Sequence, residues 1–260
     1  MKPHHPRKRF GQHFLTDPTV LNEIMRCIAL APTDRVIEIG PGQGALTHYL
    51  LSEMHHIDAV ELDRDLIVYL REKYDPARLT VHAADALEFN YTALSTAPSD
   101  LRIVGNLPYN ISTPLLFKLF SEIHSIRDMH FMLQNEVVLR LTAEVGSTDY
   151  GRLSVMSQYF CDNAYLFMVP PESFNPPPKV DSAIVRLTPR KTYPLTEKEF
   201  TVFSALVKEA FMYRRKKLSN CLQRFIKPAQ LAELAISADA RPQEITVSDF
   251  IRITKAISIE

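Results

Sequence analysis

The sequence predicts an α/β chain, a parallel sheet with helices on both faces, followed by a small all-helical domain. Three observations carry that expectation. Short apolar runs alternate with amphipathic stretches through the first two thirds of the 260 residues, as in parallel strands joined by helical crossovers. A glycine-rich turn, Gly40-Pro41-Gly42-Gln43-Gly44, follows the first of those runs. Beyond residue 195 strand signals stop and only helical spacing remains.

Taken in order, Arg35–Ile39 is a short apolar run ending at Gly40 and reads as a buried strand, with a helix over 45–52. A second strand covers 57–62, followed by an amphipathic helix over Arg64–Lys73. Strands three and four cover Leu79–Ala83 and 101–105, with a helix expected after Pro114. A fifth strand covers 129–134 and leads into a helix over 136–145. Later strands at 164–169 and 183–187 flank a proline-rich loop. The pattern changes near Pro189, so the expected boundary divides a domain at 1–190 from a helical one at 191–260. In the latter, 196–211 and the segments after Leu218, Pro228 and Val247 read as helices, and Thr246-Val247-Ser248-Asp249 as a helix start.

Apolar residues make up 46% and charged residues 23%, ordinary for a globular protein. No apolar run approaches the roughly 20 residues that cross a bilayer, so no membrane association is expected. Cys27, Cys161 and Cys221 fit neither a disulfide framework nor a zinc pattern, and read as reduced thiols of a cytoplasmic protein. Net charge is zero, but unevenly spread. Residues 1–15 carry four Lys/Arg and no acid, and 186–227 carry eleven Lys/Arg against three Asp/Glu, densest at Arg214-Arg215-Lys216-Lys217. Such patches can neutralise phosphates.

The turn after the first strand lets backbone approach a ligand near a helix N-terminus. Gly40, Gly42 and Ala45 also satisfy a loose dinucleotide pattern, with Glu61 about 20 residues on as a ribose acceptor. Three details favour S-adenosylmethionine instead. Glu38, just before the turn, suits a cationic amino acid end and would repel a pyrophosphate. Asp85 follows the third strand, where it can accept from an adenine amine; alone it fits a helix N-cap as well. No hydride-transfer constellation accompanies them, and no metal site is expected.

Asn106-Leu107-Pro108-Tyr109 follows the fourth strand, at the edge where open parallel sheets bind ligands. The exocyclic amine of adenine is a poor nucleophile because its lone pair is delocalised. The Asn106 side-chain oxygen can accept one N–H and the Leu107 or Pro108 carbonyl the other, favouring a pyramidal nitrogen. Pro108 stiffens the turn and Tyr109 offers a ring for the base to stack on. Phe174, in the loop Ser173-Phe174-Asn175-Pro176-Pro177-Pro178-Lys179-Val180-Asp181-Ser182, is expected to close on the base's other face. A base held so must be unstacked, which points to single-stranded, loop or flipped nucleic acid.

Six stretches in order carry a family resemblance: Phe10-Gly11-Gln12-His13-Phe14-Leu15, 38–44, Glu61-Leu62-Asp63, 106–112, Tyr150-Gly151-Arg152-Leu153-Ser154 and 174–182. The chain resembles the ribosomal RNA adenine dimethyltransferases, specifically the bacterial small-subunit branch. The resemblance implies a Rossmann-like class I methyltransferase fold with a seven-stranded, mainly parallel sheet. It implies that His13, Leu15, Gly40, Glu61, Asp85 and Asn106 contact S-adenosyl-L-methionine; position 13 is Asn in many members. It also implies dimethylation of two adjacent adenines near the 3′ end of 16S ribosomal RNA, in a pre-30S particle; a monomer is the default expectation. Two rivals remain: a dimethyltransferase of 23S ribosomal RNA of the macrolide-resistance type, and a nonenzymatic RNA-binding assembly factor. The Gly-Arg-Leu-Ser stretch and the triple proline favour the small-subunit enzyme, and intact Asn106 and Tyr109 argue against the nonenzymatic reading.

Overall fold

The computed structural model describes residues 13–258, so the basic stretch at 2–9 and Phe10-Gly11-Gln12 lie outside the described residues. The elements run β1 (Phe14–Leu15), α1 (Pro18–Ile28), β2 (Arg35–Ile39), α2 (Ala45–Glu53), β3 (Ile57–Glu61), α3 (Arg64–Lys73), β4 (Leu79–Ala83) and β5 (Leu101–Asn106). Then come α4 (Ser112–Ser121), β6 (Ile126–Gln134), α5 (Asn135–Leu141), α6 (Arg152–Phe160), β7 (Cys161–Val169), β8 (Phe174–Asn175) and β9 (Ser182–Pro189). Helices α7 (Glu197–Met212), α8 (Leu218–Cys221), α9 (Pro228–Glu233) and α10 (Val247–Ser258) close the chain.

Seven strands form one sheet in the order β4-β3-β2-β5-β6-β9-β7. The first five pair in parallel, and β9 joins β6 antiparallel, so the sheet is mixed and mainly parallel. Strand order reverses between β2 and β5, and a crevice opens outside their C-terminal ends. That crevice needs Gly105 in β5. A Cβ there would lie 2.4 Å from the Ile39 carbonyl oxygen, so only glycine lets β2 and β5 run this close where both end.

Helix α1 was not expected, yet its chemistry is local. Asp17 caps it, accepting from Thr19 N at 2.8 Å, Pro18 fills the first turn, and Leu21, Ile24 and Ile28 are buried along one side. They join Leu46, Leu50 and Leu70 of α2 and α3 in the apolar layer on the sheet. Helix α4 starts at Ser112, ahead of Pro114, which its first turn tolerates.

The chain divides into two compact units. The first holds the chain through Val138 together with Ala164–Pro189. The second holds Leu139–Asn163 together with the chain from Arg190 onward. The expected helical domain began at residue 191; the second unit also includes α6 and its approach, which the sequence reading assigned to the first domain. Aromatic contact accounts for this grouping: Tyr159 of α6 packs on Phe203 of α7 at 4.9 Å, and the Tyr150 hydroxyl donates to the Ile245 carbonyl at 3.0 Å. Within this unit α10 opens on the expected cap, Thr246 with Asp249, and α7 on one not singled out from sequence, Thr196 with Glu199. Among the described residues no helix is long and apolar enough to cross a membrane.

Candidate active site

A cavity of about 800 Å³ opens at the reversal of strand order, large enough for a nucleoside-sized cofactor. Its floor is the turn after β2, where Gly40, Gly42 and Gly44 all have positive φ. The Phe14 ring packs close to this turn, since a Cβ on Gly42 would lie 3.0 Å from it. Lys73 Nζ and the Tyr74 hydroxyl brace it from behind by donating to the Gln43 and Gly44 carbonyls, each at 3.1 Å.

Four carboxylates line the cavity, Glu38, Glu61, Asp63 and Asp85; Asp63 caps α3, accepting from Asp65 N at 3.0 Å. Glu38, near the end of β2, is 2% exposed and accepts from Thr47 Oγ1 of α2 at 2.6 Å. Burial pushes its carboxyl up to about 7, with Thr47 opposing and the like charge of Glu61 adding. Glu61, ending β3, is fixed from three sides: Leu62 N and Asp63 N donate to Oε1 at 2.9 Å and Gly42 N to Oε2 at 3.3 Å. Burial still raises its pKa despite these donors. Asp85 spends one oxygen capping its own turn, accepting from Leu87 N at 2.9 Å, while lining the cavity. Asp85 thus caps a turn rather than a helix, and its position on the cavity lining is compatible with the binding role expected of it.

This set fits S-adenosyl-L-methionine. Glu38 is a buried anion source without a cationic partner among the described residues, suited to an ammonium group. Glu61 is oriented by the glycine turn itself and can accept from ribose hydroxyls. Asp85 offers an acceptor beyond it, and Leu62, 50% exposed at the cavity wall, offers an apolar surface for a flat ring. Leu62 and Thr47 were not singled out from sequence. The signal for Leu62 was an apolar residue between two acids at a strand end.

Across the cavity, Asn106 ends β5. Its Nδ2 donates to the His13 carbonyl at 3.0 Å, which commits the amide nitrogen and leaves Oδ1 as an acceptor. The Pro108 carbonyl already accepts from Ile111 N at 3.2 Å, so of the two carbonyls considered Leu107's is the freer. Tyr109 is half-buried, its hydroxyl 2.6 Å from Ser182 Oγ. Burial raises its pKa against the effect of that bond, so the phenol is neutral at ordinary pH.

His13 and Leu15 do not play matching parts. Both line the cavity, but Leu15 is buried, whereas His13 also holds Asn106 through its backbone. Phe174 departs from expectation. It is 3% exposed, packed in the apolar layer with Leu15, Leu21 and Ile24, and does not line the cavity with Tyr109. The cause is backbone pairing: β1 and β8 form a two-stranded ribbon in which Leu15 faces Phe174. Among the described residues no cluster of His, Cys, Asp or Glu is arranged to hold a metal.

A family model described as ribosomal RNA adenine dimethylase matches residues 3–258. A curated relative from Coxiella burnetii, "Ribosomal RNA small subunit methyltransferase A", is 55% identical over 99% of this chain and 100% of its own length. One of the same name from Pseudomonas fluorescens is 48% identical over 98% and 95%. A solved dimethyladenosine transferase from Plasmodium falciparum superposes with a TM-score of 0.81 at 28% identity, covering 95% of this chain and 98% of that one. The 23S rRNA methyltransferase ErmE superposes with a TM-score of 0.73 at 26% identity, covering 94% and 99%.

Proposed function

The chain belongs to the ribosomal RNA adenine dimethylase family, and on that premise we propose that it methylates 16S ribosomal RNA. Methyl groups pass from S-adenosyl-L-methionine to the N6 amines of two adjacent adenines in the 3′-terminal hairpin loop, giving N6,N6-dimethyladenosines. The substrate is a pre-30S particle and the enzyme works as a cytoplasmic monomer. The small-subunit choice is supported by relatives named for that subunit at 48–55% identity, against 26% for the 23S enzyme.

The bound cofactor supplies an electrophilic methyl on a sulfonium. The protein supplies position. Glu38 would hold the ammonium end of the donor by charge and Glu61 its ribose by accepting hydroxyl hydrogens, beside the glycine turn. Asn106 Oδ1 and the Leu107 carbonyl accept the two amine hydrogens of adenine, which draws the nitrogen lone pair out of conjugation. Tyr109 supports the base by stacking, worth roughly 1–3 kcal/mol. No general base is required, because N6 carrying both its hydrogens and a new methyl is strongly acidic and sheds a proton to water.

The observation that carries this reading is the Asn106–His13 bond, which leaves an amide oxygen as acceptor where β5 meets the cofactor turn. In the decisive experiment, unmodified 30S and 50S subunits are offered separately with labelled cofactor and the methylated nucleotide is mapped. Label in paired adenines of the 30S hairpin is expected; label only in 50S overturns the substrate assignment. Asn106→Ala is expected to bind subunits as wild type does and to lose transfer by about 10²–10³-fold. Undiminished transfer would remove Asn106 from the mechanism.

A further inference from the structure

Tyr109 is restrained twice before any substrate arrives. Its hydroxyl meets Ser182 Oγ at 2.6 Å, and Ser182, at the start of β9, is fully buried. The His13 ring lies against one face, centroids 5.8 Å apart and planes within 25°. His13 is anchored in turn: Nδ1 donates to the Pro176 carbonyl at 2.9 Å, and its own carbonyl takes the Asn106 amide. The Tyr109 ring is thus pinned at its edge and covered on one side, leaving a single face for a flat base.

We infer that Ser182 is a positioning residue for Tyr109, and that its grip governs the second of the two methyl transfers more than the first. The inference rests on the stepwise dimethylation proposed above. In each transfer the adenine nitrogen gains a bond to the methyl carbon, the bonding pair of the broken sulfur–carbon bond stays on sulfur, and a proton leaves the nitrogen for water. The unmodified amine gives both hydrogens to Asn106 Oδ1 and the Leu107 carbonyl. After one methyl a single N–H remains, so one of the two bonds orienting the nitrogen is gone. Alignment then depends on the stacking surface, and small misplacements of reacting atoms carry large rate penalties. A Tyr109 ring free to pivot would therefore harm the second step selectively.

The test uses Ser182→Ala, Ser182→Thr and Tyr109→Phe enzymes on unmodified small subunits, with digested nucleosides separated to count monomethyl and dimethyl adenosine. Ser182→Ala and Tyr109→Phe are each expected to raise the mono-to-di ratio roughly three- to tenfold, the range expected for one lost hydrogen bond. For Ser182→Ala, whose side chain does not line the cavity, total first-methyl incorporation should stay within about twofold of wild type. Ser182→Thr, which keeps the hydroxyl, should restore the ratio, and the double variant should go no further than either single one. An unchanged ratio, or equal slowing of both steps, overturns the inference. If Ser182→Ala does not fold, Tyr109→Phe deletes the same bond from the other side and decides. Wild-type enzyme giving no methylated adenine would overturn the reading beneath the inference and both together, a result distinct from a wild-type ratio in the variants.

Discussion

Glu38 is the residue whose chemistry is most sensitive to conditions. Burial holds its carboxyl near 7 in the protein without cofactor, above its ordinary 4.5. A carboxyl raised on folding contributes stability below its unfolded value and loses it as pH rises through the folded value. Stability of the cofactor-free protein should therefore fall between about pH 4.5 and 7 for this group, and Glu38→Gln should raise the melting temperature at pH 8. Cofactor binding should run the other way. A cationic ligand needs the ionised carboxylate, so affinity should weaken up to about tenfold per unit as pH drops below 7, with proton release on binding there. Calorimetry in two buffers of different ionisation enthalpy measures both, and pH-independent affinity with no proton release would refute the role. At this scale the sequence was readable where residue type alone limits the chemistry: Glu38, Glu61, Asp85 and Asn106 all reach one cavity. Phe174 was not readable, because its direction is set by pairing with Leu15, 159 positions away in sequence.

Among the elements, strands and later helices announced themselves through apolar runs and caps. Helix α1 hid behind a motif, though Asp17-Pro18 is a start signal, and α6 lacked a side-chain cap to mark it. What locks α1 to the sheet is buried charge. Arg102 of β5 donates to the Ile28 and Ala29 carbonyls at the helix end, to Asp34 at 2.7 Å and to Asp128 of β6 at 3.0 Å. Arg102→Met should strip Asp34 and Asp128 of the cation they share, leaving Asp34 with Arg127 and Asp128 with His130, and destabilise by up to about 3–5 kcal/mol in urea titration. A loss below about 1 kcal/mol would mean water already screens them. Acid should act on the same joint. Burial raises the Asp34 carboxyl, but hydrogen bonds from Ala31 and Arg102 outweigh it and hold the group below 3.8. Its contribution is present above that value and disappears as pH falls through the lower folded one.

For the molecule as a whole, zero net charge conceals the basic stretch that the sequence marked at 214–217. The structure divides its members. Arg214 donates to the Thr148 carbonyl and to Gln243; Arg215, Lys216 and Lys217 are exposed, Lys217 pairing with Asp239 at 2.8 Å and Lys216 lying over the Tyr213 ring. If this stretch meets RNA, neutralising Arg215 and Lys216 together should lower the slope of log affinity against log salt by roughly 1–2. Binding measured from 50 to 200 mM salt checks this, and an unchanged slope excludes the pair. Membership of the second unit was the least readable property, since the aromatic contacts that draw α6 to α7 join residues some 40 positions apart. The ribbon of β1 and β8 has a consequence in time rather than space. His13 reaches Pro176 across 163 positions, and the acceptor end of the cavity is built from that contact. During synthesis the first strand waits while most of the chain is made, because its partner emerges far later. A nascent chain that stops short of residue 174 already holds the glycine turn and Asn106, yet lacks the strand that pairs with β1. The ribbon is therefore a late piece of the unit, available only after β2 to β7 have been made.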